Sequence, residues 1–251
     1  LLHFGPSHYN DLFRCEHPFF SSEGKGDVSA FVDKYKENYE KSERKGLICI
    51  PSGNHDMDRL ARSLTPGEMK VAFGFLLTMP GAPFIYYGDE IGMRYVEGLT
   101  SVEGGYERTG SRSPMQWDNT ANCGFSSAAP EKLYIKMDPS ADRPTAAAQM
   151  QDETSLYHEV QKLIAFRQQH SALQSKGEIE FVYAAKDSYP LAYVRSSDAE
   201  KILVIINPSA KEASFESALS SEQVLYAYGE SAHKKDGIWI APPCSVTLLK
   251  L

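Results

Sequence analysis

Residues Gly46–Gly92 read GLICIPSGNHDMDRLARSLTPGEMKVAFGFLLTMPGAPFIYYGDEIG, and the fold follows from this stretch. Leu47–Ile50 is an apolar run of the length expected for a strand buried on both faces. Pro51, Ser52 and Gly53 turn the chain. Asn54, His55 and Asp56 follow directly, where a parallel strand has just run out. Helix-start signals come next. Thr65 falls at the N-cap, Pro66 at the first helical position and Glu68 three residues past the cap, which is a capping box. Met69, Ala72, Phe73, Leu76 and Leu77 make one apolar stripe, and Pro80, Gly81 and Pro83 stop the helix. Phe84–Tyr87 reads as a second buried strand with Gly88, Asp89 and Glu90 at its end. This is an α/β order of strand, polar loop, helix, strand and polar loop. Chemistry in such folds sits at the carboxyl ends of the strands, so Asn54–Asp56 is the first place to look for function.

On the amino-terminal side, Leu1–Phe4 is a short apolar strand closed by Gly5-Pro6. Asp27–Lys45 is a helix with Val28, Phe31, Val32, Tyr35 and Tyr39 on one face. On the carboxyl-terminal side, Arg94–Ala148 is long and poor in periodic signal, as functional loops are. Its segment Gly104–Ser127 sets Tyr106, Met115, Trp117 and Phe125 among Arg108 and Arg112, which predicts an ordered loop rather than a disordered one. Aromatic faces beside charged side chains suit the C–H faces and hydroxyls of a sugar; the alternative is an aromatic plug that closes the core. Thr154–His170 is a third helix. The period then changes to short β runs at Ile179–Tyr183, Leu191–Arg195, Ile202–Ile206, Val224–Tyr228, Ile238–Ile240 and Val246–Leu249, separated by turn-rich pieces. They predict an antiparallel domain of about six to eight strands. The expected domains are 1–172 and 173–251, with the 94–148 loop inside the first.

Composition narrows the function. The 251 residues are 42% hydrophobic and 24% charged, with a net charge of -7. That balance excludes a nucleic-acid or anionic-membrane partner, which needs a basic surface. The longest apolar run, Val71–Met79, is too short to span a bilayer. Cys15, Cys49, Cys123 and Cys244 follow no CxxC spacing, so reduced thiols and a cytoplasmic setting are expected. His3, His8 and His17 lack metal-ligand spacing, and no metal or other cofactor is expected in this stretch. There is no GxSxG, P-loop or GxGxxG. Taken alone, Asn54, His55 and Asp56 either position hydroxyls, work as acid and base, or cap the turn. Arg59, three residues past Asp56, is placed to keep its carboxylate ionised.

The segments GNHDMDR (53–59), MPGAPFIYYGDEIGM (79–93) and SRSPMQWDNTANCGFS (111–126), in that order, resemble the α-amylase superfamily of retaining glycoside hydrolases, on its α-glucosidase, oligo-1,6-glucosidase and maltogenic-amylase side. The resemblance implies the C-terminal part of a TIM (β/α)8 barrel, about strands 6–8, followed by a small antiparallel β-sandwich domain. By position, Asp56 resembles the family's third carboxylate, which grips and distorts the sugar at the cleavage subsite. His55 resembles the histidine bonded to the same sugar, Arg59 the arginine lining the adjacent subsite, and Arg112 the loop arginine near the pocket. Asn54 shapes the turn, and Asp89 is read as structural. The implied substrate is an α-glucoside or oligosaccharide. The family's nucleophile and acid/base fall upstream of this match, as do most of its calcium ligands. With an opening of Leu-Leu-His, the chain reads as a fragment that is inactive alone and self-associates through cut barrel edges. Other readings are a non-catalytic barrel relative acting as a binding or scaffolding module, and a transglycosylase or isomerase on the same scaffold.

Overall fold

The structure, a computed structural model, describes residues 2–3, 11–24, 27–42, 45–104 and 108–251. Gly5-Pro6, His8 and Tyr106, named above, lie outside the described residues. Packing groups the chain into two units, one of Leu1–Ile50, Ser63–Pro83 and Leu163–Leu251, the other of Pro51–Arg62 and Phe84–Lys162.

In the first unit, β1 (Leu2–His3) pairs in parallel with β2 (Ile48–Pro51), and β3 (Ala82–Phe84) lies on the far side of β2. Helix α1 (Ser29–Lys41) buries Phe31, Val32 and Tyr35. Helix α2 (Pro66–Thr78) starts where the capping box places it: Glu68 N–H donates to Thr65 Oγ1 (3.4 Å), and Thr65 N–H donates to Glu68 Oε2 (2.7 Å). The helix is buried nearly all round, not along one stripe. Phe75 stands among Phe13, Phe20 and Phe31, with centroids 5.2–6.4 Å away. Gly74 meets the antiparallel sheet so closely that a Cβ there would lie 2.8 Å from Val246 Cγ2.

Glu68 also accepts the Ser22 N–H at 2.6 Å. Burial alone would raise its pKa, but the bonds from Ser22 and Thr65 outweigh burial and hold it below the usual range. The folded value lies under the unfolded one. Its stabilisation is therefore full at neutral pH and lost as pH falls through the folded value. Glu68→Gln is expected to cost about 1–2 kcal/mol at neutral pH. In thermal melts, its difference from the wild type should narrow steadily towards strong acid.

Eight strands follow. The five-stranded sheet runs β4 (Glu178–Tyr183), β5 (Leu191–Ser196), β6 (Lys201–Asn207), β11 (Ser245–Lys250), β8 (Val224–Tyr228); the three-stranded one runs β7 (Ala213–Glu216), β10 (Ile238–Ala241), β9 (His233–Lys235). The pairings that join them are antiparallel. Ala192, Val194, Leu203 and Ile205 of the larger sheet and Phe215, Trp239 and Ala241 of the smaller share one core, as a sandwich requires. The other face of β5 and β6 is also buried, which is why both read as continuous apolar runs. The short strands β7 and β9 went unseen in the sequence.

Two buried arginines close the carboxyl end of α2. Arg167, on α4 (Leu156–Gln169), donates to the carbonyls of Leu77, Met79 and Gly81 at 2.7–3.0 Å. Arg195 on β5 donates to those of Thr78, Gln174, Gly177 and Glu178. Burial pushes the Arg195 pKa down to about 10. The carbonyls, with the negative end of the helix dipole, take the place of a counter-ion.

The second unit holds two polar loops, Pro51–Arg62 and the residues from Phe84 on, and the long segment with its one described α-helix wholly inside it, α3 (Ala146–Gln151). The expected buried strand Phe84–Tyr87 is corrected. The strand ends at Phe84, and Phe84 and Tyr87 are half exposed. Tyr86 N–H leaves the ladder for the Ser52 hydroxyl (2.9 Å), which frees both tyrosine rings for a cation. No helix among the described residues is long and apolar enough to cross a membrane.

Candidate functional site

Past β2 the backbone is held by Ser52 and Asn54. The Ser52 N–H donates to Phe84 O (2.8 Å), and its buried hydroxyl donates to Asp89 Oδ2 (2.7 Å). Asn54 Oδ1 accepts the Asp56 N–H (2.8 Å), an Asx turn closed by Met57 N–H to Asn54 O (3.3 Å). The turn takes up the Asn54 carbonyl groups and turns His55 and Asp56 outwards, with side chains 65% and 44% exposed. His55 Nε2 stands 3.3 Å from Asp56 Oδ2. On the other carboxylate oxygen two guanidiniums converge: Arg112 Nη2 donates to Asp56 Oδ1 at 2.8 Å, and Arg108 Nη1 lies 3.0 Å from it. Arg112 Nε also donates to the His55 carbonyl at 2.8 Å. Asp56 is thus an accessible carboxylate held by two guanidiniums on Oδ1, with the His55 ring beside Oδ2.

Arg112 ends a short 3-10 turn, Thr109–Arg112, and Arg108 precedes it at the N-cap. Three bonds tie it down. Ser111 Oγ donates to Met57 O, Tyr86 OH to Ser111 O (3.1 Å) and Tyr87 OH to Ser113 O (2.7 Å). The two tyrosines are in turn ordered by Arg59. Its guanidinium carbon lies 4.8 Å from each ring centroid, and Nη1 donates to Tyr87 O (2.7 Å) and Asp89 Oδ1 (3.1 Å). Nε and Nη2 of Arg59 have no hydrogen-bond partner among the described residues; the negative faces of the rings compensate them.

This arrangement corrects one expectation. Arg59 and Asp89 side chains are fully buried against each other, so Arg59 neither faces Asp56 nor stands open to a ligand. It braces the tyrosines that brace Arg112. The reason is non-local, a buried carboxylate 30 residues on that needs a cation. Arg108 takes the place by Asp56 that spacing had given to Arg59.

Two of the other acids nearby are committed. Asp58 pairs with Arg62 (2.7 Å), and Asp89 with Arg59. No group of three or more His, Cys, Asp or Glu side chains that could hold a metal occurs among the described residues.

Comparison with known proteins follows the same line. The family model described as alpha amylase, catalytic domain, matches residues 14–176, well over half of the chain. An oligo-1,6-glucosidase of Parageobacillus thermoglucosidasius is 29% identical over 247 residues, covering 82% of this chain and 43% of that one. A trehalose synthase/amylase of Mycobacterium tuberculosis is 35% identical over 151 residues, 57% of this chain and 24% of that one. A human amino acid transporter heavy chain, SLC3A1, is 30% identical over 163 residues, 61% of this chain and 22% of that one. Among solved structures, the trehalulose synthase MutB of Pseudomonas mesoacidophila MX-45 superposes with a TM-score of 0.77 at 24% identity, over 96% of this chain and 50% of that one. This chain thus spans half or less of the length of these relatives. The parallel strands, their helices and the antiparallel sandwich are those of the α-amylase fold, a TIM barrel with a β domain after it, and the chain belongs to the alpha-amylase catalytic-domain family.

Proposed function

We propose that this chain is the sugar-gripping part of a retaining glycoside hydrolase that acts on α-glucosides, with Asp56 holding two hydroxyls of one glucosyl ring and His55 bonded to the same ring. The observation that carries the reading is the Asp56 carboxylate, exposed and clamped by Arg108 and Arg112. A scaffold has no use for a charged trio open to solvent, whereas a vicinal diol is matched by a fixed carboxylate flanked by guanidinium donors. The relative named oligo-1,6-glucosidase supports this substrate class.

Retaining hydrolysis takes a nucleophile and an acid/base about 5–5.5 Å apart. Asp56 is spoken for by two arginines, and Asp58 and Asp89 by one each, so these acids do not make up that pair. The purified 251-residue chain is expected to bind methyl α-D-glucopyranoside and to leave nitrophenyl α-glucoside intact. Sustained nitrophenol release that disappears in Asp56→Ala would contradict this division of labour.

A second reading is a barrel that binds partners without chemistry, favoured by the transporter heavy chain among the relatives. The same titration separates the two, since that reading leaves no reason for Asp56-dependent sugar binding.

A further inference from the structure

Beside the clamped carboxylate lies a cavity of about 440 Å³, and Arg112 belongs to both. Its walls include Tyr87, Trp117, Phe125 and Tyr134. Trp117, Phe125 and Tyr134 are about half exposed, and Tyr87 is 39% exposed. Large aromatic faces left open together around a concavity mark a ligand site more often than a closed core. Glu90 also lines it, and Glu90 Oε2 is buried with no hydrogen-bond partner among the described residues. A buried acceptor left unpaired is costly unless a donor arrives. Burial raises the Glu90 pKa, against backbone N–H bonds from Glu90 and Gly88 that stabilise the charge.

We infer that this cavity takes the aglycone of the glucoside, and that the aglycone is a flat aryl group carrying a hydrogen-bond donor. The inference rests on the reading of Asp56 as the glucosyl grip. A second sugar ring asks for several hydroxyl partners, and here only Arg112 and Glu90 offer charged groups, one of them already spent on Asp56 and His55. An aryl ring asks for faces to stack on, which Trp117, Phe125 and the tyrosines supply. Its hydroxyl supplies the donor missing at Glu90. With the glucosyl ring on Asp56, the aglycone passes Arg112 into the aromatic walls.

The test compares four ligands on the 251-residue chain by calorimetry: methyl, phenyl and 4-hydroxyphenyl α-D-glucopyranoside, and maltose. Phenyl is expected to bind about tenfold tighter than methyl, from stacking and burial of one ring. The 4-hydroxyl should add a further factor of about five, and maltose should stay within about threefold of methyl. Trp117→Ala should erase the phenyl gain, and Glu90→Leu the hydroxyl gain. Because Trp117 is at the surface, its variant keeps the test open if Glu90→Leu does not fold. The inference is overturned if maltose gains as much as the phenyl glucoside, or if the phenyl gain is absent or survives Trp117→Ala, while methyl glucoside still binds in an Asp56-dependent way. If no glucoside binds, the reading of Asp56 falls, and this inference with it.

Discussion

Asp89→Ala is expected to cost about 3–5 kcal/mol of stability, since it leaves a fully buried guanidinium without its counter-charge. Arg59 and Asp89 are both 0% exposed, and the Asp89 carboxylate also receives the Ser52 hydroxyl. The loss should spread along a stated path. Without Asp89, Arg59 no longer holds its place between Tyr86 and Tyr87, and the tyrosines no longer hold Ser111 and Ser113. Glucoside binding should therefore weaken even though Asp89 touches no ligand. The double variant Arg59→Met, Asp89→Leu should recover a large part of the stability, because an apolar pair carries no desolvation penalty. Denaturant melts of the three proteins check this. A double variant no more stable than Asp89→Ala would show that the ion pair is not the source of the loss.

Arg195→Ala should be comparably severe, about 4 kcal/mol. It strips partners from the carbonyls of Thr78, Gln174, Gly177 and Glu178 in a buried place, and each unpaired buried acceptor costs about 1–3 kcal/mol, only part of which relaxation recovers. At 2–4 °C per kcal/mol for a chain of this size, the melting temperature should fall by roughly 12 °C. The fall should not extend to the chemistry of the Asp56 cluster, which lies in the other unit. Arg195→Lys is expected to restore little, because one ammonium cannot reach the carbonyls that a planar fork spans. A fall of only a degree or two would mean that water replaces the guanidinium.

How much of this was legible follows the reach of each interaction. The capping box at Thr65 and Glu68 is local, and it formed as written. The runs at Leu191 and Ile202 are buried on both faces, so hydrophobicity alone located the strands. His233–Lys235 pairs with β10 through its backbone and carries no apolar signal. Tyr86 and Tyr87 have high β-propensity, yet a cation from another loop drew them off the ladder. Spacing put Arg59 beside Asp56, and a buried acid 30 residues away put it elsewhere. His55, Asp56 and Arg112 came together because the resemblance, not the spacing, had already joined segments 57 residues apart. Nothing in the neighbours of Arg108 fixes where a loop arginine turns, so its contact with Asp56 is not legible in the sequence.

The account stands or falls on whether Asp56 grips a glucosyl ring. Methyl α-D-glucopyranoside titrated into the ¹⁵N-labelled chain should give saturable amide shifts at His55, Asp56 and Arg112. In the near-isosteric Asp56→Asn variant, affinity should drop at least about tenfold, the equivalent of one charge-assisted hydrogen bond. Equal affinity in the two proteins, or shifts confined to residues away from this turn, would contradict it.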